Sequence, residues 1–404
     1  MKIERIYKSY FLISLVIMSL LFITIRVVVP EDNNHENNYI INGNALGYFN
    51  TTGFANQIVI VDDILYLADE ISGLAIFDIS DAPSLVSLCN YSIGMRVQGI
   101  CVVDDLVYMA NDVNGISIAN ISNPVSPTFV GALDWSYVQY PERAIKLKVI
   151  GNFAYVCDLD DDFKVINVTN PSAPTLVGDC YYSSSARGLA IKDSYAFVAS
   201  WNNILEVIDI NDPTNPIPQY GYFDGISYAN DIQIKDNYAY IADWEKGLHV
   251  FDIQNPTAPV LKKTVNPIHA MGLDIICNLV YVTETNKGVN VFTIEDPENP
   301  LFLGLFLASG YINDVTVECE YLYVAAGETG IVVFDAFGFT HDPITITLPP
   351  VTVTPPPVTV TPPPETITIN NTNTAPFGII TSSTIFIIAI SLTVITLISR
   401  RKRK

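Results

Sequence analysis

Histidine is scarce. The chain holds only His35, His249, His269 and His341, and no two stand at metal-ligand spacing. The six cysteines, Cys89, Cys101, Cys157, Cys180, Cys277 and Cys319, form no CxxC pair, so neither a zinc site nor a dithiol redox motif is encoded. GxSxG, HExxH and a phosphate-cradling glycine loop are also missing, which removes the common signatures of serine hydrolases, zinc peptidases and nucleotide enzymes. Basic residues number 21 against 42 acidic ones, for a net charge of −21. Residues 1–30 sum to +3 and residues 400–404 to +5, which leaves −29 between them. A body that acidic does not bind nucleic acid, because phosphate contacts need clustered Lys and Arg.

What is present is a repeat. Short apolar runs, each built on one aromatic, recur at Tyr66, Tyr108, Tyr155, Phe197, Tyr240, Tyr281 and Tyr323, spaced 42, 47, 42, 43, 41 and 42 residues apart. That period fits a four-stranded propeller blade. Eight and six residues before each aromatic stand aliphatics, such as Ile232 and Ile234, with mixed residues between. This period-two pattern marks a first strand. The aromatic run is the second strand, and a small residue follows two positions on, as in Tyr240 and Ala242. Large and small groups therefore share one face, as stacked sheets require. A third strand ends on Asp78, Asn120, Asn167, Asp209, Asp252, Thr293 or Asp335. An Asn/Asp-Pro-x-x-Pro turn and a fourth strand resembling Thr175–Gly178 come next.

The seventh copy stops after its third strand, while Asn44–Phe49 reads as a fourth strand without its first three. We therefore expect an all-β fold: a seven-bladed β-propeller of four-stranded blades, its ring closed by the N-terminal strand. A linear stack would leave that strand unpaired.

The repeated unit resembles the LVIVD-repeat β-propeller proteins of bacterial and archaeal surfaces. Tyr240–Asp243, Gly247–Ile253 and Asn255–Val260 carry the resemblance best, and it spans roughly residues 45–338. It implies a propeller on an exported protein and carries over no catalytic residue.

The flanks predict the rest of the layout. Residues 1–30, with a basic start and an apolar run, read as a signal peptide or signal anchor. Residues 31–338 form the propeller. Residues 339–376 form a Pro/Thr-rich stalk, which as extended chain would reach on the order of 100 Å. Residues 377–399 supply a transmembrane helix, with 21 uncharged residues from Ile379 to Ser399. Residues 400–404 are a basic cytoplasmic tail, which places the propeller outside a single-pass membrane protein. The tail is also similar to surface-sorting signals that are cut and lipid-anchored, although Ala375-Pro376-Phe377-Gly378 departs from their motif.

Candidate sites are few. All three tryptophans, Trp135, Trp201 and Trp244, fall in loops expected on one face, with Tyr137 and Tyr140 inside a five-residue insertion. They read either as a recognition surface for a surface protein or glycan, or as caps on their own blades. Asp160, Asp161 and Asp162 could help hold calcium, but their spacing matches no calcium loop, so they read as a solvated turn. No cofactor is implied. Asn50, Asn90 and Asn370 are glycosylation candidates, whereas the sequons at Asn120 and Asn167 fall in strands. The function expected is a membrane-anchored, non-catalytic binding or adhesion module. The alternatives are a hydrolase using channel acids such as Asp231, Asp274 and Asp314, and a structural component of the surface coat.

Overall fold

The computed structural model describes residues 45–135, 143–160, 162–181, 185–222, 227–265 and 269–336, with the short pairs 346–347 and 366–367. The signal segment, Tyr137, Tyr140, Asp161, Asn370, the C-terminal helix and most of the stalk lie outside the described residues. Among those described, no helix is long and apolar enough to cross a membrane.

Seven four-stranded antiparallel sheets follow one another along the chain. Blades 1 to 6 span residues 57–91, 99–133, 144–181, 186–222, 229–265 and 270–307. Blade 7 joins three strands of residues 314–335 to Gly47–Phe49. That N-terminal strand pairs antiparallel with Ile331–Asp335, Tyr48 opposite Val332. Leu46 N–H adds a 2.7 Å bond to Val333 O. The expected closure is thus present: the last blade borrows its outer strand from the chain's other end. Each first strand touches that of the next blade, and blade 7 returns to blade 1.

The core lies between blades rather than within them. Seven apolar clusters each join two neighbouring blades. Second and third strands are therefore buried on both faces, as in Tyr238–Asp243 and Gly247–Asp252, while fourth strands are largely exposed. The repeat's seven aromatics are all buried, Tyr281 completely, against fully buried small residues such as Ala242 and Ala325. Burying such a ring contributes about 1.5–3 kcal/mol.

The Asp/Asn at the end of the third strand of blades 1 to 5 has a local task. Its side-chain oxygen accepts the N–H two residues on: Ser80 to Asp78 (2.9 Å), Asn211 to Asp209 (2.9 Å), Gln254 to Asp252 (3.0 Å). These Asx turns satisfy the backbone as the chain leaves the sheet. Asn120 and Asn167 do the same, which gives both a structural use for their side chains.

Residues 346–347 and 366–367 belong to a separate unit and form a two-stranded ladder, Ile346 opposite Ile367.

Candidate functional site

First strands line the central channel. The residue nine before each aromatic forms a ring: Gln57, Gly99, Lys146, Gly188, Asp231, Gly272 and Asp314. Functional side chains and glycines alternate, and the odd blade number leaves Asp314 beside Gln57. The alternation is steric. A Cβ on Gly188 would lie 2.6 Å from Asp231 Cα, and one on Gly272 2.4 Å from Asn313 O. Lys146 Nζ therefore reaches across blade 4 to Asp231 Oδ1 at 3.4 Å.

The channel acids accept backbone donors from the next blade. Asp231 takes Leu273 N–H (3.3 Å), Asp314 takes Ile58 N–H (2.9 Å), and Gln57 Oε1 takes Ile100 N–H (2.9 Å). In the next layer Asp274 accepts Val317 N–H (3.1 Å) and Thr316 Oγ1–H (3.2 Å). These bonds stitch blade to blade. Burial pushes the Asp314 carboxyl up to about 7, against the pull of Lys146 and with the push of Asp231. Burial also raises Asp274. It opposes the Lys146 ammonium, yet Asp231 and Asp314 together lift that group above its ordinary value. The cavity between these residues holds about 180 Å³. Among the described residues no three His, Cys, Asp or Glu side chains group to hold a metal.

On the upper face, which carries the turns between second and third strands, a second ring of contacts joins the blades. At four blade junctions the residue four after one aromatic meets the residue twelve before the next. On one side the pairs are ionic: Glu70 with Arg96 at 2.9 Å, and Asp112 near Arg143, which Asp160 grips through two bonds of 3.1 Å. On the other side they are aromatic. Trp201 meets Tyr228 edge-on at 5.2 Å and Trp244 lies over His269 at 4.9 Å; beside them Phe54 and Tyr311, each twelve before its own aromatic, meet at 6.1 Å. Trp244 N–H donates to Tyr228 O at 3.0 Å, so Trp201, Tyr228, Trp244 and His269 form one line across blades 4 to 6.

The three tryptophans differ in setting. Trp201 and Trp244 are half-buried. Trp135 is only 8% exposed and packs into the core between blades 2 and 3. Asp160, of the acidic triplet, is the residue that grips Arg143.

The LVIVD repeat model matches residues 52–92, 94–134, 143–181, 183–222, 226–267 and 309–336, more than half of the chain. The protein belongs to the LVIVD-repeat family. Six blades match, and blade 6, which ends its third strand on Thr293 instead of Asp or Asn, does not. No curated protein matches this LVIVD chain. Three solved propellers are similar in fold. One is a chain of the mitotic checkpoint complex (11% identity, TM-score 0.60, 77% of this chain and 99% of that one). The second is the Cps50 (Swd1) β-propeller domain from Myceliophteria thermophila (9%, 0.56, 70% and 98%). The third is the computationally designed Ika8 protein (12%, 0.53, 70% and 83%). Identities this low establish the fold alone.

Blades 1 to 6 also bury polar residues that the repeat pattern does not advertise. The residue three after the aromatic is Asp69, Asn111, Asp158, Ser200, Asp243, Glu284 or Ala326, and all are buried. Its partner often stands six residues on: Asn111 with Ser117 (2.8 Å), Glu284 with Asn290 (2.9 Å), Asp243 with His249 (3.5 Å). In blade 7 both positions, Ala326 and Val332, are apolar. This paired exchange is the sequence signal that could have found them. Asp243 also accepts Ser227 Oγ–H. Burial opposes its charge, but the bonds from His249 and Ser227 hold its carboxyl below the ordinary range. With Ser227 and His249 both on Asp243, the three form a structural clasp and not a nucleophile relay, in which the histidine would stand between the other two.

The cysteines are all free. Cys157 and Cys180 are buried in blade 3, whereas Cys277 and Cys319 are exposed in first-to-second-strand turns. Asn90 is exposed on the outer strand of blade 1, and Asn50 is exposed just after the closing strand.

Proposed function

We propose that this propeller is a non-catalytic binding or adhesion module, anchored to a membrane through residues 379–399 and presented outside the cell. Its partner is a surface protein or a glycan. The observation that supports this best is the aromatic line Trp201–Tyr228–Trp244–His269 on one face. Flat, rigid rings bury large area at small entropic cost. Loops on a rigid scaffold are also where recognition concentrates. The channel carboxylates, by contrast, are committed to backbone donors. A glycan array and a pull-down with wild type and Trp201→Ala/Trp244→Ala test the reading. Loss of binding in the variant supports it, and equal binding by both contradicts it. Protease added to intact cells should cut the stalk and release the propeller; loss of the propeller only after lysis would overturn the orientation.

One observation favours a second reading. Asp314, held near neutrality at about 7 beside Lys146 and Asp231, has the acid–base character of a hydrolytic acid. A hydrolytic activity abolished by Asp314→Asn would establish that reading instead.

A further inference from the structure

Most first strands carry an irregularity near the channel mouth. In blade 4 the register slips between Ala186 and Gly188, which leaves Arg187 as the extra residue of a β-bulge. Bulges re-aim a side chain. In the equivalent ring, Asn56, Gln98, Ile145, Arg187, Asn230, Met271 and Asn313, arginine is the one charged residue.

Its surroundings are unusual for a cation. The guanidinium lies 4.0 Å over the Trp201 ring. Arg187 Nε is buried and meets no acceptor among the described residues. Burial, with the like charge of Arg143, lowers its pKa to about 10, so it is still charged at neutral pH. The acid nearest its cationic neighbour is spent: Asp160 is held by Arg143. A half-buried cation whose Nε–H is buried and unmet costs free energy in the free protein. It becomes favourable when an anion arrives, and a guanidinium stacked on an aromatic face is preorganised for a carboxylate fork.

We propose that Arg187 receives a carboxylate from an acidic peptide segment of the partner, at the mouth between blades 4 and 5. This rests on the aromatic-face reading and names the chemistry of what docks there. A peptide fits the wall better than a sugar acid. Asn230 Oδ1 accepts Trp201 Nε1–H at 3.1 Å, and its amide donates to Ala270 O at 3.0 Å. Its polar atoms are thus occupied, and the site has few groups for the several hydroxyls of a sugar ring. Trp, Tyr and Arg together are instead the composition of protein hot spots.

A displayed library of random peptides, selected on the purified full chain, tests this. Three versions are used: wild type, Arg187→Gln and Trp201→Ala/Trp244→Ala. Wild-type selections should enrich one Asp or Glu at a fixed position. Those peptides should bind Arg187→Gln about tenfold or more weakly. Replacing the peptide Asp by Asn should cost the same factor on wild type and almost nothing on Arg187→Gln. That arm leaves the protein untouched, so it reads the contact even if the variant folds badly. Arg187→Gln should melt at or above the wild-type temperature, since it removes an uncompensated cation; a fall of several degrees would mark Arg187 as structural and overturn the proposal. Selected peptides that need Trp201 and Trp244 but show no acid enrichment would overturn it and leave the aromatic-face reading standing. So would Arg187-dependent binding of polygalacturonate without acidic peptides. If Trp201→Ala/Trp244→Ala selects the same peptides as wild type, both readings fall.

Discussion

Lys146 and Asp231 lie 3.4 Å apart although they belong to blades 3 and 5, and blade 4 places only Gly188 between them. The ion pair and the glycine are one device: Gly188 has to be small so that Asp231 backbone can approach it. Gly188→Ala is expected to destabilise the ring by about 1–3 kcal/mol, the usual cost of overpacking. The midpoint of chemical denaturation checks this, and an unchanged midpoint would show that the channel has slack.

Breaking the same pair from the other side should cost more. Lys146→Met leaves Asp231, which is 5% exposed, facing Asp314 without its ion-pair partner. The expected loss is on the order of 3 kcal/mol. Adding Asp231→Asn should recover part of it, because the surviving amide still accepts Leu273 N–H. A double-mutant cycle on equilibrium unfolding measures the coupling.

Asp314 makes stability depend on pH in a stated direction. Its carboxyl is raised from 3.8 to about 7 by burial, so the folded state holds this proton more tightly than the unfolded chain. Its contribution is fully present below its unfolded value and is lost as pH rises to about 7. Asp314→Asn keeps an acceptor for Ile58 N–H and removes the titration. Unfolding curves across this window should show the wild type losing stability relative to Asp314→Asn as pH rises. A constant difference between the two would contradict the assignment.

Closure by Gly47–Phe49 gives a further expectation. Deleting residues 31–50 strips blade 7 of its outer strand and exposes the edge of Ile331–Asp335. The whole ring should melt at a lower temperature, because the core is shared between neighbouring blades. Unchanged thermal unfolding would argue against closure as a source of stability.

Much of this fold is legible in the sequence, since a strand repeat writes its register into spacing. The seven aromatics and their small partners define the second strands, and the unmatched piece around Asn44–Phe49 points to the closing strand. The site was harder to read. Trp201 and Trp244 stand out as loop aromatics, but nothing local says that Trp135 turns into the core. That is decided by packing between blades 2 and 3. Arg187 is invisible to periodicity because it sits on a bulge, where the period-two rule fails. The alternation of glycine and charge around the channel emerges only when equivalent positions of seven blades are laid side by side, since the neighbours that impose it are some 42 residues away.

Hydrogen exchange on the full chain, with and without its bound partner, tests the central claim most directly. The account expects protection at Trp201–Asn203, Tyr228–Asn230, Trp244–Lys246 and His269–Met271, all on the upper face. Protection confined to the opposite turns, at Asp62–Asp63, Asp104–Asp105, Asp236–Asn237 and Cys277–Asn278, would contradict it.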